Sequence, residues 1–493
     1  MQAKNSLNCV AFDCGNSSVR VVLGQYDGKR IHMEVVHQVE NREIEVQGIF
    51  YWDILHIFHE LQKGLQMAYR KCGRIDSVGV CTWGIDFGLL NKQGQLLGNP
   101  MCYRNSLAAG VLSELDSNTR RFMFDQTGIH NDQINTIYQL LGYRRAFPET
   151  YDIADRLLLI PDLLVYLFTG EQRGEPTIAS TTQYYNVTDN DYSQSVLQHW
   201  NLDPALLPPL VQNAELIGCL KRSIADELHI NACPFICVPS HDTACAIAAI
   251  PASSEDFLYV SSGTWGLIGT ELQKPIISDA VYEKGFANEG GAFSTTTFLK
   301  NSAGMFIIQR VRRELRAQGI DLSWDEIVSL GKQAEDASLV FNPNHPSLFN
   351  PPSMLEAIRK LLAQTGQKEN CSHAEVIRAV YGSMALCYKA VTDDIAAITQ
   401  KEYPTLHIVG GGAQNQFLNQ LCADATGKQV IAGPYEATSL GNIGVQLIYH
   451  KAADHSLAAV RNILRDSIDS VAYSPQETLR ASQYDTFLEV CSL

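Results

Sequence analysis

What the 493-residue chain lacks narrows its function first. No stretch approaches the roughly 18–20 apolar residues needed to span a bilayer. The nearest candidate, RLLLIPDLLVYLFTG (156–170), is broken by Pro161 and Asp162. Positive charge is scarce: 38 Lys and Arg stand against 53 Asp and Glu, for a net charge of −15, with no dense basic cluster. That argues against a nucleic-acid partner, whose footprint is a basic stripe or patch. The 13 cysteines form no CxxC pair and no zinc-like spacing. Most sit in apolar segments such as AFDCG and PFICV, where a free buried thiol is expected. No GxxxxGK[ST] loop, no dinucleotide GxGxxG fingerprint and no GxSxG serine elbow occurs. The opening MQAKNSLNCVAFDCG meets an acid after a short apolar run, unlike a signal peptide. A reduced, cytoplasmic protein is expected, with neither membrane nor nucleic acid as partner. Any polyphosphate would have to be held locally, by backbone amides and a metal rather than a general positive field.

What is present has the size of two or more domains. LNCVAFDC (7–14) reads as a buried strand, Gly15-Asn16-Ser17-Ser18 as a turn, and RVVLGQY as a returning strand. RIHMEVVHQVE adds a third strand, completing an antiparallel meander. YWDILHIFHELQKGLQMAYRKCG (51–73) has helical periodicity ending at Gly73. SVGVCTWGIDFGLLN then reads as strand, turn and strand. The second half repeats the plan: FLYVSSGTWGLIGTEL (257–272) is another apolar hairpin, AEVIRAVYGSMALCYKAVTDDIAAIT (374–399) a long helix, and TLHIVGGGAQNQFLNQLCADATG a strand, glycine turn and helix. Two α/β domains of related design facing across a cleft are expected. Their boundary is expected near 244–256, giving 1–246 and 247–493.

Several small constellations carry possible chemistry. Asp13 closes a strand and opens a small-residue turn, where a carboxylate can hold Mg²⁺ beside phosphate-binding amides. An Asx turn would explain it too. Ser261-Ser262-Gly263-Thr264 mirrors that turn, and Thr264 offers a hydroxyl donor, although an ordinary hairpin would look the same. Val409-Gly410-Gly411-Gly412 precedes a helix starting near Asn415, and three glycines exceed what a tight turn needs. Asp242, in PSHDTACAIAAI (239–250), stands where a strand gives way to a helix. Either a helix cap, by Ser240 or Asp242, or a base that deprotonates a hydroxyl fits that position. His56 and His59, one turn apart with Glu60 beside them, lack the spacing of a metal site.

Taken in order, FDCGNSSVR (12–20), TWGIDF (82–87), NTIYQL (135–140), IPDLLVYLFTG (160–170), SHDTA (240–244), SSGTW (261–265), NEGG (288–291), LKN (299–301), FNPN (341–344), VGGGAQN (409–415) and AGPYEATSLGNIGVQ (432–446) resemble the FGGY carbohydrate kinases, and within them most closely the rhamnulokinases. The resemblance spans almost the whole chain. It implies a pair of actin/hexokinase-like (ribonuclease H-like) ATPase domains and an ATP- and Mg²⁺-dependent kinase that phosphorylates the C1 hydroxyl of a ketose, L-rhamnulose first. Position by position it makes Asp242 the general base, with Gly84, His241, Thr243 and Asn301 at the sugar. Asn16, Ser17, Ser18, Val19 and Arg20 become the first phosphate loop, Thr264 the second, and Gln309, Gly411 and Gly412 further nucleotide contacts. Asp13 would help hold the metal.

Two segments depart from that pattern. Rhamnulokinases usually read DTWG where this chain has Cys81-Thr82-Trp83-Gly84, and YRDxRT where it has Tyr103-Arg104-Asn105-Ser106-Leu107. Charged partners are thus missing from segments expected near the sugar. L-fuculose, D-ribulose or a xylulose therefore stays open as substrate, as does a non-catalytic sugar or nucleotide sensor on the same fold. An actin- or chaperone-like ATPase would fit the fold but not the sugar-kinase segments. Nothing in the sequence sets the oligomeric state.

Overall fold

The computed structural model describes residues 6–476 and 481–492. The chain divides into two compact units. The first joins Met1–Pro251 with Glu271–Phe298 and Ala437–Ile468; the second joins Ala252–Thr270 with Leu299–Glu436 and Asp469–Leu493. Among the described residues, no helix is long and apolar enough to cross a membrane.

The first unit is organised on a six-stranded sheet. Its spatial order is Leu216–Cys219, Pro234–Ile236, Ser77–Thr82, Leu7–Cys14, Ser18–Tyr26 and Ile31–Glu40. The last three form the expected antiparallel meander. Leu7–Cys14 lies parallel to Ser77–Thr82, with Asp13 opposite Cys81. Covered on both sides, this central strand is buried at every position from Cys9 to Cys14, hence its nearly unbroken apolar sequence.

One face carries Val10, Phe12 and Cys14 against the helix Ile54–Cys72. That helix begins at Asp53, whose carboxylate accepts from the His56 amide, and ends at Gly73, left-handed at φ 72°. Side chains alternate along a strand, so Asp13 points to the opposite face, covered by the helix Ala437–Tyr449. Within this helix Ser439, Asn442 and Gln446 form a fully buried polar stripe. Those side chains bond the sheet itself: Gln446 Nε2 donates to the Val10 carbonyl at 3.0 Å, and Ser77 Oγ donates to Gln446 Oε1 at 2.7 Å.

The second unit repeats the core plan. Leu258–Ser262 pairs antiparallel with the strand that follows it and parallel with Thr405–Val409. Thr405–Val409 is in turn parallel to Gln429–Ala432. The helix His373–Thr399 starts with a reciprocal cap between Ser372 and Glu375. The glycine turn leads into the helix Gln416–Thr426, capped by Asn415. All 13 cysteines are free, ten of them buried, as expected.

The packing of Ala437–Tyr449 on the short helix Asp242–Ala248 depends on one missing methyl group. A Cβ on Gly441 would stand 1.9 Å from the Cys245 carbonyl oxygen, a backbone atom with nowhere to go. Gly441→Ala is expected to destabilise the protein by at least about 1–3 kcal/mol, the usual cost of overpacking. A lower urea midpoint at unchanged m-value would register it; an unchanged midpoint would show that the helices separate freely.

Candidate active site

Asp242 occupies the first position of the helix Asp242–Ala248. Neither Ser240 nor Asp242 caps that helix: the cap position belongs to His241, which makes no side-chain cap bond. The loop before it is fixed from below by Glu175, a fully buried acid. Glu175 Oε2 accepts from the Ser240 and Ile178 amides, both at 3.0 Å, and from Thr177 Oγ1 at 2.6 Å. Its other oxygen accepts from Asn213 Nδ2 at 3.0 Å. The His241 amide donates to Thr177 Oγ1, and Thr82 bridges His241 in parallel, tying the loop to the central sheet.

One third of the Asp242 side chain still meets solvent, although dense protein surrounds it. Burial raises its pKa, the neighbouring His241 opposes the rise, and the Asp13 charge adds to it. Thr243 Oγ1 donates to Asp242 Oδ1 at 3.2 Å, and His241 Nε2 lies 3.5 Å from the same oxygen. On its other side, His241 Nδ1 is 3.2 Å from Glu289 Oε2, close enough for an ion pair but not aligned as a hydrogen bond. Asp13 is 4% exposed, and its Oδ2 accepts from Arg20 Nη2 at 2.6 Å and Ser439 Oγ at 2.9 Å.

The turn after Asp13 is closed by the Gly15 amide donating to the Ser18 carbonyl at 2.8 Å. Asn41 pins it from the neighbouring strand, through its side chain to the Gly15 carbonyl and its amide to the Ser17 carbonyl. Asn16 Oδ1 is buried with no hydrogen-bond partner among the described residues. Asp13, Asn16, Ser17, Ser18, Val19, Arg20, Gly84, His241, Asp242 and Thr243 thus all fall in the first unit. Thr264, Asn301, Gln309, Gly411 and Gly412 fall in the second.

There, Gly412 approaches Ser262 so closely that a Cβ would stand 1.9 Å from its hydroxyl, while Gly411 faces open space. The Met305 and Phe306 amides donate to the Gly263 and Thr264 carbonyls, which docks the second small-residue turn on the helix Phe306–Ala317. Gln309 lies exposed in that helix's first turn, and Asn301 and Thr264 are exposed as well.

Sequence reasoning missed the conformation of the turn at Gly84. Ile85, β-branched, sits at φ 73°, and the Asp86 amide reaches back to the Gly84 carbonyl at 2.9 Å. Such a positive-φ γ-turn is strained, and strain of this kind persists where surrounding groups over-determine it. Here the Ile85 amide donates to Thr181 Oγ1, and its carbonyl accepts from Thr136 Oγ1 and Gln139 Nε2. The departures read from the sequence take a structural form. Cys81 is fully buried and meets Asn442 and the Phe12 carbonyl. The Asn105 side chain is clamped on the Phe50 amide and carbonyl and on the Cys102 carbonyl. Leu107 borders a cavity of about 240 Å³ shared with Tyr51, Phe87, Asn105, Gln139 and Tyr143.

Asp86, within the segment TWGIDF, is another acid to which sequence reasoning gave no role. It is 1% exposed; Oδ2 accepts from both the Trp52 and Trp83 indoles, at 2.6 and 2.9 Å. Oδ1 has no hydrogen-bond partner among the described residues. Burial pushes its pKa up to about 7, against the lowering effect of the two indoles. Because the folded value exceeds the unfolded one, the folded state holds the proton longer, and stability falls as pH rises from about 4 through 7. A shift of about three units corresponds to at most about 4 kcal/mol. Asp86→Asn is therefore expected to flatten the decline in urea midpoint between pH 5 and pH 8. Parallel curves for the two proteins would overturn the assignment of that proton to Asp86.

Comparisons with known proteins agree on one group. The N-terminal domain of the FGGY family of carbohydrate kinases matches residues 8–248 and its C-terminal domain residues 258–449. A rhamnulokinase from Bacteroides thetaiotaomicron is 35% identical over 472 residues, covering 95% of this chain and 96% of the relative. One from Bacillus subtilis is 33% identical over 482 residues, with 97% of each chain covered. Among solved structures, a gluconate kinase from Lactobacillus acidophilus superposes with a TM-score of 0.81 at 17% identity, covering 99% of this chain and 96% of that one.

Proposed function

The chain belongs to the FGGY family of carbohydrate kinases, and we propose that it transfers the γ-phosphoryl group of ATP to the C1 hydroxyl of a ketose, L-rhamnulose foremost, with Asp242 as general base. The observation that carries the base assignment is Asp242 itself: a carboxylate at a helix start, partly open to solvent, with His241 and Thr243 beside it. A helix N-terminus favours the ionised carboxylate, and His241 offsets the burial that opposes it. The sugar preference rests on two rhamnulokinases that align with this chain nearly end to end.

In this reading Asp242 accepts the C1 hydroxyl proton as that oxygen attacks the γ-phosphorus. The new P–O bond forms while the bond to the β-phosphate oxygen breaks, releasing ADP. Such catalysis consists mainly of positioning and electrostatic stabilisation. Residues 1–246 supply most of the sugar site and the first phosphate turn, and 247–493 supply Asn301 and the remaining nucleotide contacts through Thr264, Gln309, Gly411 and Gly412. His241, Thr243, Gly84 and Asn301 orient the sugar.

The donor set suits Mg²⁺, which binds through one or two carboxylates and substrate phosphates rather than an all-protein cage. Asp13 is a buried carboxylate whose charge reaches Asp242. No cluster of three potential metal ligands occurs among the described residues. Asp13 would hold the ion, which when bound neutralises charge on the transferring phosphoryl group.

Mg-ATP turnover against L-rhamnulose, L-fuculose, D-ribulose, L-ribulose and D- and L-xylulose tests the proposal. Strongest ADP release with L-rhamnulose is the expected outcome; preference for another ketose would reassign the substrate, and nucleotide binding without turnover would favour a sensor. Asp242→Asn is expected to lower kcat by about 10²–10⁴-fold, the usual worth of a general base. It should leave ATP affinity within a few-fold. Near-normal turnover in that variant would remove Asp242 from the role.

A further inference from the structure

The residue that the proposed chemistry leaves unused, yet that lies against it, is Glu289. It belongs to the strand Ala287–Gly290, in the same compact unit as Asp242, and its side chain is 15% exposed. Its Oε2 faces His241 Nδ1 at 3.2 Å, while His241 Nε2 faces Asp242 at 3.5 Å. The imidazole therefore stands between two carboxylates, one on each ring nitrogen. Neither His241 Nδ1 nor Glu289 Oε2 makes an aligned hydrogen bond with any other described group, so each is the other's polar neighbour.

We propose that Glu289 is a positioning residue that fixes His241 as an imidazolium, with Nε2–H turned as a standing donor toward Asp242 and the sugar. The proposal rests on the kinase reading above and adds to it the residue that sets the charge of the site.

The surrounding charges support it. Burial disfavours a charged ring, but Glu289 first, then Asp242 and Glu175, raise the His241 pKa to about 9. Asp242 in turn is faced by Asp13, which is itself paired with Arg20. With a neutral ring, Asp242 would meet burial and the Asp13 charge without a cation on its own loop, and would hold its proton more firmly. A general base must be ionised before it accepts the substrate's proton, so a charged His241 keeps Asp242 available to lower pH, and at higher pH what the charged ring supplies is its Nε2–H donor.

Glu289→Gln separates charge from shape: the amide oxygen still accepts from Nδ1–H, but the negative charge is gone. The His241 titration should then fall from near 9 toward the ordinary imidazole value of about 6.5. The ratio of wild-type to Glu289→Gln kcat/KM is expected to stay flat below about pH 6.5. It should then climb about tenfold per pH unit, toward about 100-fold at pH 8.5, as the variant's ring loses its proton. Glu289→Asp, which restores the charge, is expected to recover part of the loss at pH 8.5. Imidazole NMR, with the His241 signal assigned by its loss in His241→Asn, reads the titration directly and without turnover. A flat activity ratio, or a His241 midpoint that stays near 9 in Glu289→Gln, would overturn the proposal. A wild-type enzyme silent on every ketose would instead overturn the kinase reading, and the NMR titration would still decide the role of Glu289.

Discussion

The candidate site depends on how closely one helix approaches the sheet of its unit. Ala437–Tyr449 lies over the central strands without a layer of bulky side chains between them. Gly79 has no room for a methyl group beneath Asn442, whose Oδ1 would be 2.3 Å from it, and Gly24 none beneath Ile443. Such proximity would strand polar groups if the helix were wholly apolar. Ser439, Asn442 and Gln446 prevent that by bonding Asp13, Cys81, Ser77 and the Val10 carbonyl. Buried polar groups are tolerated when each finds a partner. The same helix thus fixes the Asp13 carboxylate and, through Gly441, the start of the helix that carries Asp242. A small-residue helix with a polar stripe is the scaffold on which the acidic residues sit.

Those acids define the electrostatics. Asp13, Asp86, Asp162 and Glu175 are all buried in the first unit, with Glu289 and Asp242 partly so. Burial raises the pKa of Asp162 and Glu175 as it does that of Asp86. They fall into two kinds. Glu175 is saturated with donors and acts as a structural bracket for the Ser240–His241 loop. Asp13 and Asp242 instead face cationic or donor groups, Arg20 and Ser439 for one, His241 and Thr243 for the other. An acid held by neutral donors is anchored, whereas one beside a titratable group such as His241 has a charge environment that changes with that group.

Much of the fold was legible because it depends on periodicity. The two hairpins, the helix ending at Gly73, the long helix before the glycine turn and Asn415 at the start of the next helix all follow from patterns of apolar and turn residues. The division of the chain was less legible. Ala437–Tyr449 packs in the unit with the N-terminal sheet although it lies more than 350 residues beyond the strands Leu7–Cys14 and Ser77–Thr82 that it covers, and no local pattern announces that contact. Asp242 carried a signal, a lone acid at a strand-to-helix junction, though its distinction from a cap needed the structure. Glu175 carried none, one acid among 53, and Asp86 and Glu289, though they stand in the segments TWGIDF and NEGG, had no role there that the residue pattern could assign. The left-handed Ile85 was invisible because sequence rules reserve that conformation for glycine or asparagine.

Specificity is best sought where hydrogen-bonding capacity is still unused. Cys81 is sealed beneath Asn442, and a carboxylate there would place another negative charge beside Asp13 at a point already crowded with acids. The cysteine there meets Asn442 and the Phe12 carbonyl instead. Asn105 has both ends of its amide committed to backbone, so it holds the Phe50 segment and has little left for a ligand. The unusual residues at 81 and 105 therefore act through packing and charge balance. The imidazole between Glu289 and Asp242 is different in kind, since its Nδ1 makes no aligned hydrogen bond among the described residues. A pocket discriminates hydroxyls most sharply when a substrate lacking the right one leaves a buried polar group without a partner. Groups already satisfied by the protein cannot impose that penalty, whereas on the proposed reading the His241 ring would.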